Sequence, residues 1–201
     1  MDWVAALSKE ARRSSVIVAS EFEKKYHVSP ASLRKAFDRL TDRNLIERVT
    51  HKVYVNKLAV EFSATDLVNV LRPTAYVSLE SALHHWGVST QTPSILTCVS
   101  DEAAREYRGK SFALWYRQIA PKLLWGFATK QTRYGSYRLA EPEKALLDWL
   151  YLCLQDGIHP SVDELTLTSI KRDKLIDYAK RYPSSVFKFL LNTVVIDSFA
   201  A

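Results

Sequence analysis

An α+β protein in two parts is the architecture this sequence predicts, and three observations predict it. Residues 1–58 read as three helical segments followed by a short hairpin. Residues 60–201 alternate helices with aromatic and β-branched runs and end in a helical tail, an α+β body with several strands. Charge is also divided unequally between these parts. Residues 1–60 hold 12 Lys and Arg against 7 Asp and Glu, whereas the remaining 141 residues hold 16 against 15. The basic excess therefore belongs to the first part, a distribution that suits contact with a polyanion. The composition, with 47% hydrophobic, 25% charged and 11% aromatic residues in 201, is globular and excludes disordered, collagenous and low-complexity classes. A chain of this length buries roughly two-thirds to three-quarters of its unfolded surface and needs no covalent staple.

In the first part, Trp3 to Ala11 places Trp3, Val4 and Leu7 at three-to-four spacing, which predicts a helix. Ser15 to Tyr26, with Val16, Ile17, Ala19, Phe22 and Tyr26 apolar, predicts a second. After the break His27-Val28-Ser29-Pro30, Ser29 is placed to cap a third helix, with Pro30 at the first position, where a missing N–H costs nothing. That helix runs to about Arg43. Leu33, Ala36, Phe37 and Leu40 form its inward stripe, so Ser32, Arg34, Lys35, Asp38, Arg39, Asp42 and Arg43 face outward or sideways. Two β-prone runs, Leu45 to Val49 and Val53 to Val55, flank the turn Thr50-His51-Lys52.

This order predicts an N-terminal winged helix-turn-helix over residues 1–60. Such a module braces a short helix on a core and offers its polar, basic face to the major groove. The expected DNA contacts are Ser32, Arg34, Lys35 and Arg39 on the helix, with Arg48 and Lys52 on the wing. Lys35 and Arg39 are expected at base edges, Arg48 and Lys52 at phosphates. Asp38 and Asp42 count against this face, because carboxylates repel phosphates. The plain alternative is a small helical bundle whose third helix is merely solvated.

In the second part, residues 61–201, Thr65 to Leu71 predicts a short helix stopped before Pro73. Ser78 is expected to cap a helix through Leu79, Ala82, Leu83 and Trp86, closed by Gly87. Ile95 to Val99, Phe112 to Ile119, Leu123 to Thr129 and Tyr134 to Leu139 read as strands. Pro142 opens an amphipathic helix expected to turn Ala145, Leu146, Trp149, Leu150, Cys153 and Leu154 inward. Ser169 to Tyr182 and Ser185 to Ile196 predict two closing helices, broken by Pro183.

Chemistry is largely missing. The five glycines form no phosphate-cradling loop, and no Gly-x-Ser-x-Gly exists. His84 and His85 are adjacent, point about 100° apart on a helix, and have no further ligand at metal spacing. Glu141 and Glu143 flank Pro142 at a helix start, where capping and the helix dipole account for them better than acid–base chemistry. Cys98 and Cys153 sit in apolar runs and read as buried free thiols. Arg105, Arg108, Lys110, Arg133 and Arg138 read as a solvated rim or a second binding surface. The expectation is a protein that is not an enzyme, with no cofactor, no metal and no membrane partner. An acidic Met1-Asp2-Trp3 start and the lack of a long uncharged apolar run place the expected location in the cytoplasm.

Tyr76-Val77-Ser78-Leu79-Glu80-Ser81-Ala82-Leu83 with Trp86-Gly87 resembles a segment of AbiEi-type antitoxins, regulators in abortive-infection toxin–antitoxin operons. Leu139-Ala140-Glu141-Pro142-Glu143-Lys144-Ala145-Leu146-Leu147-Asp148 is similar to that family's most specific helix opening, and 174–186 to its C-terminal helices. The turn Thr50-His51-Lys52 lacks the glycine that many members carry there. The resemblance implies a repressor of its own promoter that binds inverted repeats in double-stranded DNA, with two copies on the symmetric site. It also implies that the chain counteracts a nucleotidyltransferase-like toxin without needing a stable complex. A regulator of another defence or mobile-element operon, or a protein-docking module, are the alternative readings.

Overall fold

Asp2 starts the first helix: its carboxylate accepts hydrogen bonds from the Val4 and Ala5 N–H groups, both at 3.0 Å, satisfying two donors that a helix start leaves open. The computed structural model describes residues 1–162 and 164–195. Helix α1 (Trp3–Ala11) is followed by strand β1 (Val16–Val18) and helices α2 (Ala19–Tyr26) and α3 (Pro30–Asp42). Strands β2 (Ile46–Arg48) and β3 (Val53–Asn56) form the hairpin. All three strands are antiparallel in the order β1–β3–β2, with Ile17 opposite Tyr54 and Glu47 opposite Val55.

The predicted second helix, Ser15 to Tyr26, is thus corrected: its first residues are a strand. Val16, Ile17 and Val18 are β-branched, which costs χ1 freedom in a helix and suits a pleated pair. The helix begins only at Ala19, whose N–H donates to the Lys52 carbonyl. His27, at φ 50°, ends α2 in the left-handed conformation, and Ser29 Oγ accepts from Ser32 N–H at the start of α3. Leu7, Ile17, Phe22, Leu33, Phe37, Leu40, Ile46 and Tyr54 form the buried core. Phe37 stands edge-on to Phe22 at 5.4 Å and to Tyr54 at 4.9 Å, contacts worth about 0.5–1.5 kcal/mol each beyond burial.

The chain divides into two compact units. The first comprises Met1–Pro73 together with Glu106–Leu114 and Gln131–Tyr137; the second comprises the rest. The first unit extends past residue 60 because α4 (Thr65–Leu71) packs there, with Ser15 Oγ donating to the Asp66 carboxylate at 2.6 Å. It also holds Glu47, which accepts hydrogen bonds from Ser111 N–H and Ser111 Oγ, the latter at 2.7 Å, and pairs with Lys57.

After Pro73 the chain forms strand β4 (Tyr76–Val77), helix α5 (Leu79–His85), and strands β5 (Leu96–Ser100), β6 (Arg105–Arg108), β7 (Ala113–Gln118), β8 (Phe127–Gln131) and β9 (Ser136–Ala140), of which β4, α5 and β5 lie wholly in the second unit. Helices α6 (Pro142–Gln155), α7 (Arg172–Ala179) and α8 (Ser184–Phe189) follow, the last continuing into wider helical turns, Leu190–Val195. The strand order is β6–β7–β5–β4–β9–β8, with β4 antiparallel to β5 and parallel to β9. Helix α6 packs on α5 and is covered by α7 and α8.

Several expectations are refined here. The strand expected over Leu123 to Thr129 begins at Phe127, because Pro121–Leu123 forms a tight helical turn and Gly126 takes φ +72°. Strands β4 and β6 escape the sequence pattern. The closing helices are shorter than expected, and Ile196 lies outside the described residues. On α6, Trp149, Cys153 and Leu154 are only half-buried, whereas Lys144, Leu147, Asp148 and Leu152 are buried. With α5 on one side and α7 and α8 on the other, two faces are enclosed rather than one. Among the described residues, no helix is long and apolar enough to cross a membrane.

Candidate nucleic-acid interface

Helix α3 carries the first candidate site. Burial of Leu33, Ala36, Phe37 and Leu40 fixes its rotation, and 100° per residue then assigns every other side chain. Ser32, Arg34, Lys35, Asp38 and Arg39 are exposed, as are Arg48 on β2 and His51 and Lys52 in the hairpin turn. Arg39 Nε donates to the Lys35 carbonyl at 3.1 Å, laying its side chain back along the helix. Ser32 Oγ is occupied by Ser29 Oγ at 3.1 Å. None of Arg34, Lys35, Arg39, Arg48 or Lys52 forms an ion pair among the described residues. No carboxylate among the described residues therefore competes with an incoming anion for these cations, although Arg39 is held to the Lys35 carbonyl and Arg48 lies over the Tyr54 ring.

The candidate residues fall into two groups rather than one. Arg34 lies on the hairpin flank of α3 and lines a hollow of about 370 Å³ with Arg48, His51 and Tyr54. Arg39 lies on the opposite flank, where it lines a second hollow, about 280 Å³, with Trp3 and Arg43. Lys35 points between them, beside Asp38. His51, carried by the expected wing with Arg48 and Lys52 but not among the expected DNA contacts, joins the first group. Its position in the hairpin turn was the available signal.

The second unit holds a different site, which sequence reasoning did not assemble. Lys144 and Asp148, one turn apart on α6, are both 0% exposed and form an ion pair. Asp148 Oδ1 also accepts from Tyr182 Oη at 2.7 Å, and Oδ2 accepts from Tyr76 Oη at 2.9 Å and Ser78 Oγ at 2.8 Å. Lys144 Nζ donates to Tyr182 Oη at 2.6 Å and lies 5.0–5.3 Å from the centres of the Trp125, Tyr182 and Tyr76 rings. Burial pulls the Lys144 ammonium below its usual pKa, and Asp148 offsets this only partly. Burial and the Asp148 charge push the Tyr76 and Tyr182 phenols well up, so both remain protonated donors. Every acceptor position of the carboxylate is thereby used. Fully buried, the pair offers nothing to an external substrate in this conformation. It ties β4, α6 and the segment after α7 together.

Two sequence expectations change at this site. Ser78 precedes α5, but its hydroxyl bonds Asp148 and not the helix start, and Leu79 adopts φ 56° there. Glu141 and Glu143 do not cap α6 through their side chains. Glu141 accepts from Tyr178 Oη at 2.6 Å, Glu143 accepts from Lys171 N–H at 2.9 Å, and both pair with Lys174. Glu141 still holds the N-cap position and Glu143 the first turn of α6, as expected for the helix dipole, and their side chains in addition hold α7. The segments that suggested a family, around Tyr76-Val77-Ser78 and Glu143 to Asp148, thus supply most of one buried polar network.

The remaining candidates are placed simply. Cys98 is buried and Cys153 half-buried, and neither is in a disulfide. His84 is half-buried and His85 exposed, edge-on to Trp86. Among the described residues no cluster of three or more His, Cys, Asp or Glu could hold a metal ion. Arg138 lies over the Phe127 ring and Arg133 over Tyr134. No family model matches this chain, and no curated protein matches it at a significant level.

Proposed function

We propose that this chain is a DNA-binding antitoxin that represses its own promoter, with residues 1–60 acting as a winged helix-turn-helix. The observation that carries the DNA half is the outward face of α3. Lys35 and Arg39, with Arg34, Arg48 and Lys52 beside them, are exposed cations without carboxylate partners, braced on a helix whose core stripe is fully packed. The order helix, strand, helix, helix, hairpin supports the same reading, the hairpin serving as the wing. Lys35 and Arg39 read base edges; Arg48 and Lys52 hold phosphates, so affinity falls with salt at a log–log slope of roughly −4 to −5 for about four to six neutralised phosphates. The antitoxin half, including action against a nucleotidyltransferase-like toxin, rests on the resemblance of the segments at 76–87 and 139–148.

The test is a gel shift with duplex DNA from immediately upstream of the chain's own reading frame. Lys35→Ala with Arg39→Ala should abolish the specific shift at moderate salt while thermal unfolding stays unchanged, since both side chains are exposed. An unaltered shift would remove these residues from the interface. Asp38 and Asp42 on the same helix favour a second reading, a surface that docks a protein. That reading requires salt-insensitive partner binding and no duplex affinity.

A further inference from the structure

The hollow between α3 and the hairpin has a composition that solvent exposure alone does not require. Its floor is apolar and aromatic, with Phe37 and Tyr54 buried, and its rim carries Arg34, Arg48 and His51. Three features suit it to an anion. Neither arginine has a carboxylate partner, so neither charge is already neutralised. The Arg48 guanidinium lies 5.8 Å from the Tyr54 ring centre, an aromatic contact that restricts where its fork points. And the cations come from two elements, α3 and β2 with its turn, so they converge on one space rather than follow one helix. Glu23 is the carboxylate on the same lining.

We propose that this hollow seats one backbone phosphodiester of the duplex, held between Arg34 and Arg48 with His51 as a further donor. Arg34 is then a phosphate ligand, not a base reader. A guanidinium fork matches the two non-bridging oxygens of a diester, and the apolar floor suits the attached deoxyribose. The volume, about 370 Å³, accommodates the phosphate, its sugar and bridging waters. An anchored phosphate at this flank fixes how far α3 enters the groove and so positions Lys35 and Arg39. The inference rests on the DNA-binding reading above and deepens it.

The experiment measures binding of the full chain to two labelled duplexes by fluorescence anisotropy across a salt series. One duplex is the upstream DNA of its own gene; the other has the same composition in shuffled order. Arg34→Gln with Arg48→Gln should weaken both duplexes by the same factor, about tenfold or more, and lower the salt slope by about one to two. Glu23→Gln should tighten both. A scan of single neutral methylphosphonates should find one position that costs the native chain affinity but costs the double variant nothing. Circular dichroism confirms that these exposed substitutions leave the fold intact. If the native chain binds and the variants bind equally well, the phosphate site is wrong while DNA binding stands. Loss confined to the upstream duplex would also overturn it, making the arginines base readers. Failure of the native chain to bind either duplex would overturn the DNA reading and this site together.

Discussion

Replacing Asp148 with asparagine tests whether the buried network of the second unit is held by charge. The amide has nearly the size of the carboxylate, so packing is preserved while the charge and one acceptor oxygen are lost. In the native protein two oxygens serve four donors: Lys144 Nζ and Tyr182 Oη on one, Tyr76 Oη and Ser78 Oγ on the other. The variant can serve only one of these pairs, and the Lys144 ammonium, 0% exposed, loses its counter-charge. Removing one partner of a buried ion pair costs roughly 3–5 kcal/mol, a large share of the roughly 5–15 kcal/mol that stabilises a typical domain. Asp148→Asn should therefore be destabilised by about 3–5 kcal/mol. Lys144→Met, which leaves the carboxylate three hydroxyl donors, should cost less. The double variant holds no buried charge and should be at least about 1 kcal/mol more stable than additivity predicts. Urea unfolding followed by tryptophan fluorescence measures all three, and Trp125, 5.0 Å from Lys144 Nζ, lies at the perturbation. A pH series adds a sign. Because burial holds the folded Lys144 pKa below its ordinary 10.5, the unfolded chain binds more protons just under that value, so stability rises with pH there. Asp148→Asn removes the group that pushes the pKa back up, and the rise should begin at lower pH. A loss under about 1 kcal/mol, strict additivity, or an unchanged pH profile would each refute the ionic account.

Glu47→Gln should flatten the acid limb of the stability curve and speed amide exchange at Lys110 and Ser111. Burial pushes the Glu47 carboxyl up, but the hydrogen bonds from Lys57, Ser111 and Lys110 outweigh it and hold it low, so its contribution is present above the ordinary carboxylate range and lost as pH falls through the folded value. Gly126→Ala should lower stability by about 1–2 kcal/mol in calorimetry, since φ is +72° and the added methyl would meet Lys144 Cγ at 3.1 Å; an unchanged Tm would contradict that geometry. Burial, with Glu80 and Asp156 nearby, pushes the Cys153 thiol up to about 11. Its alkylation by iodoacetamide should be slow at pH 8 and quicken toward pH 10, while Cys98 stays unlabelled until the chain unfolds. Mass spectrometry reads both sites, and rapid labelling of native Cys98 would contradict its burial.

The elements that could be read from the sequence are those whose signals are local. Helix α3 is marked by Ser29, Pro30 and an unbroken apolar stripe, and its outward face follows from that stripe alone. Val16-Ile17-Val18 fails the same approach because its partner, Val53 to Val55, lies more than thirty residues away and a three-residue strand has no period of its own. Lys144 and Asp148 present the harder case. At one-turn spacing they look like an ordinary solvated helix pair, and only the covering of α6 by α7 and α8, with Tyr182 arriving from the end of the chain, turns them into a sealed one. The separation of Arg34 from Arg39 follows from their positions around the helix, but which flank meets the hairpin is a matter of tertiary packing.

The composition of the first unit has a consequence for synthesis. Its segments leave the ribosome in three instalments, 1–73, 106–114 and 131–137, so translation must pass residue 137 before the unit holds all its parts. Until Ser111 emerges, Glu47 can meet Lys57 but none of its later hydrogen-bond donors. A nascent chain paused between these points presents the helices and hairpin without the segments that complete them. Fragments ending near residue 73 should therefore be more readily digested by protease than the same residues within the finished protein. The order of manufacture delays completion of the unit that is begun before the other.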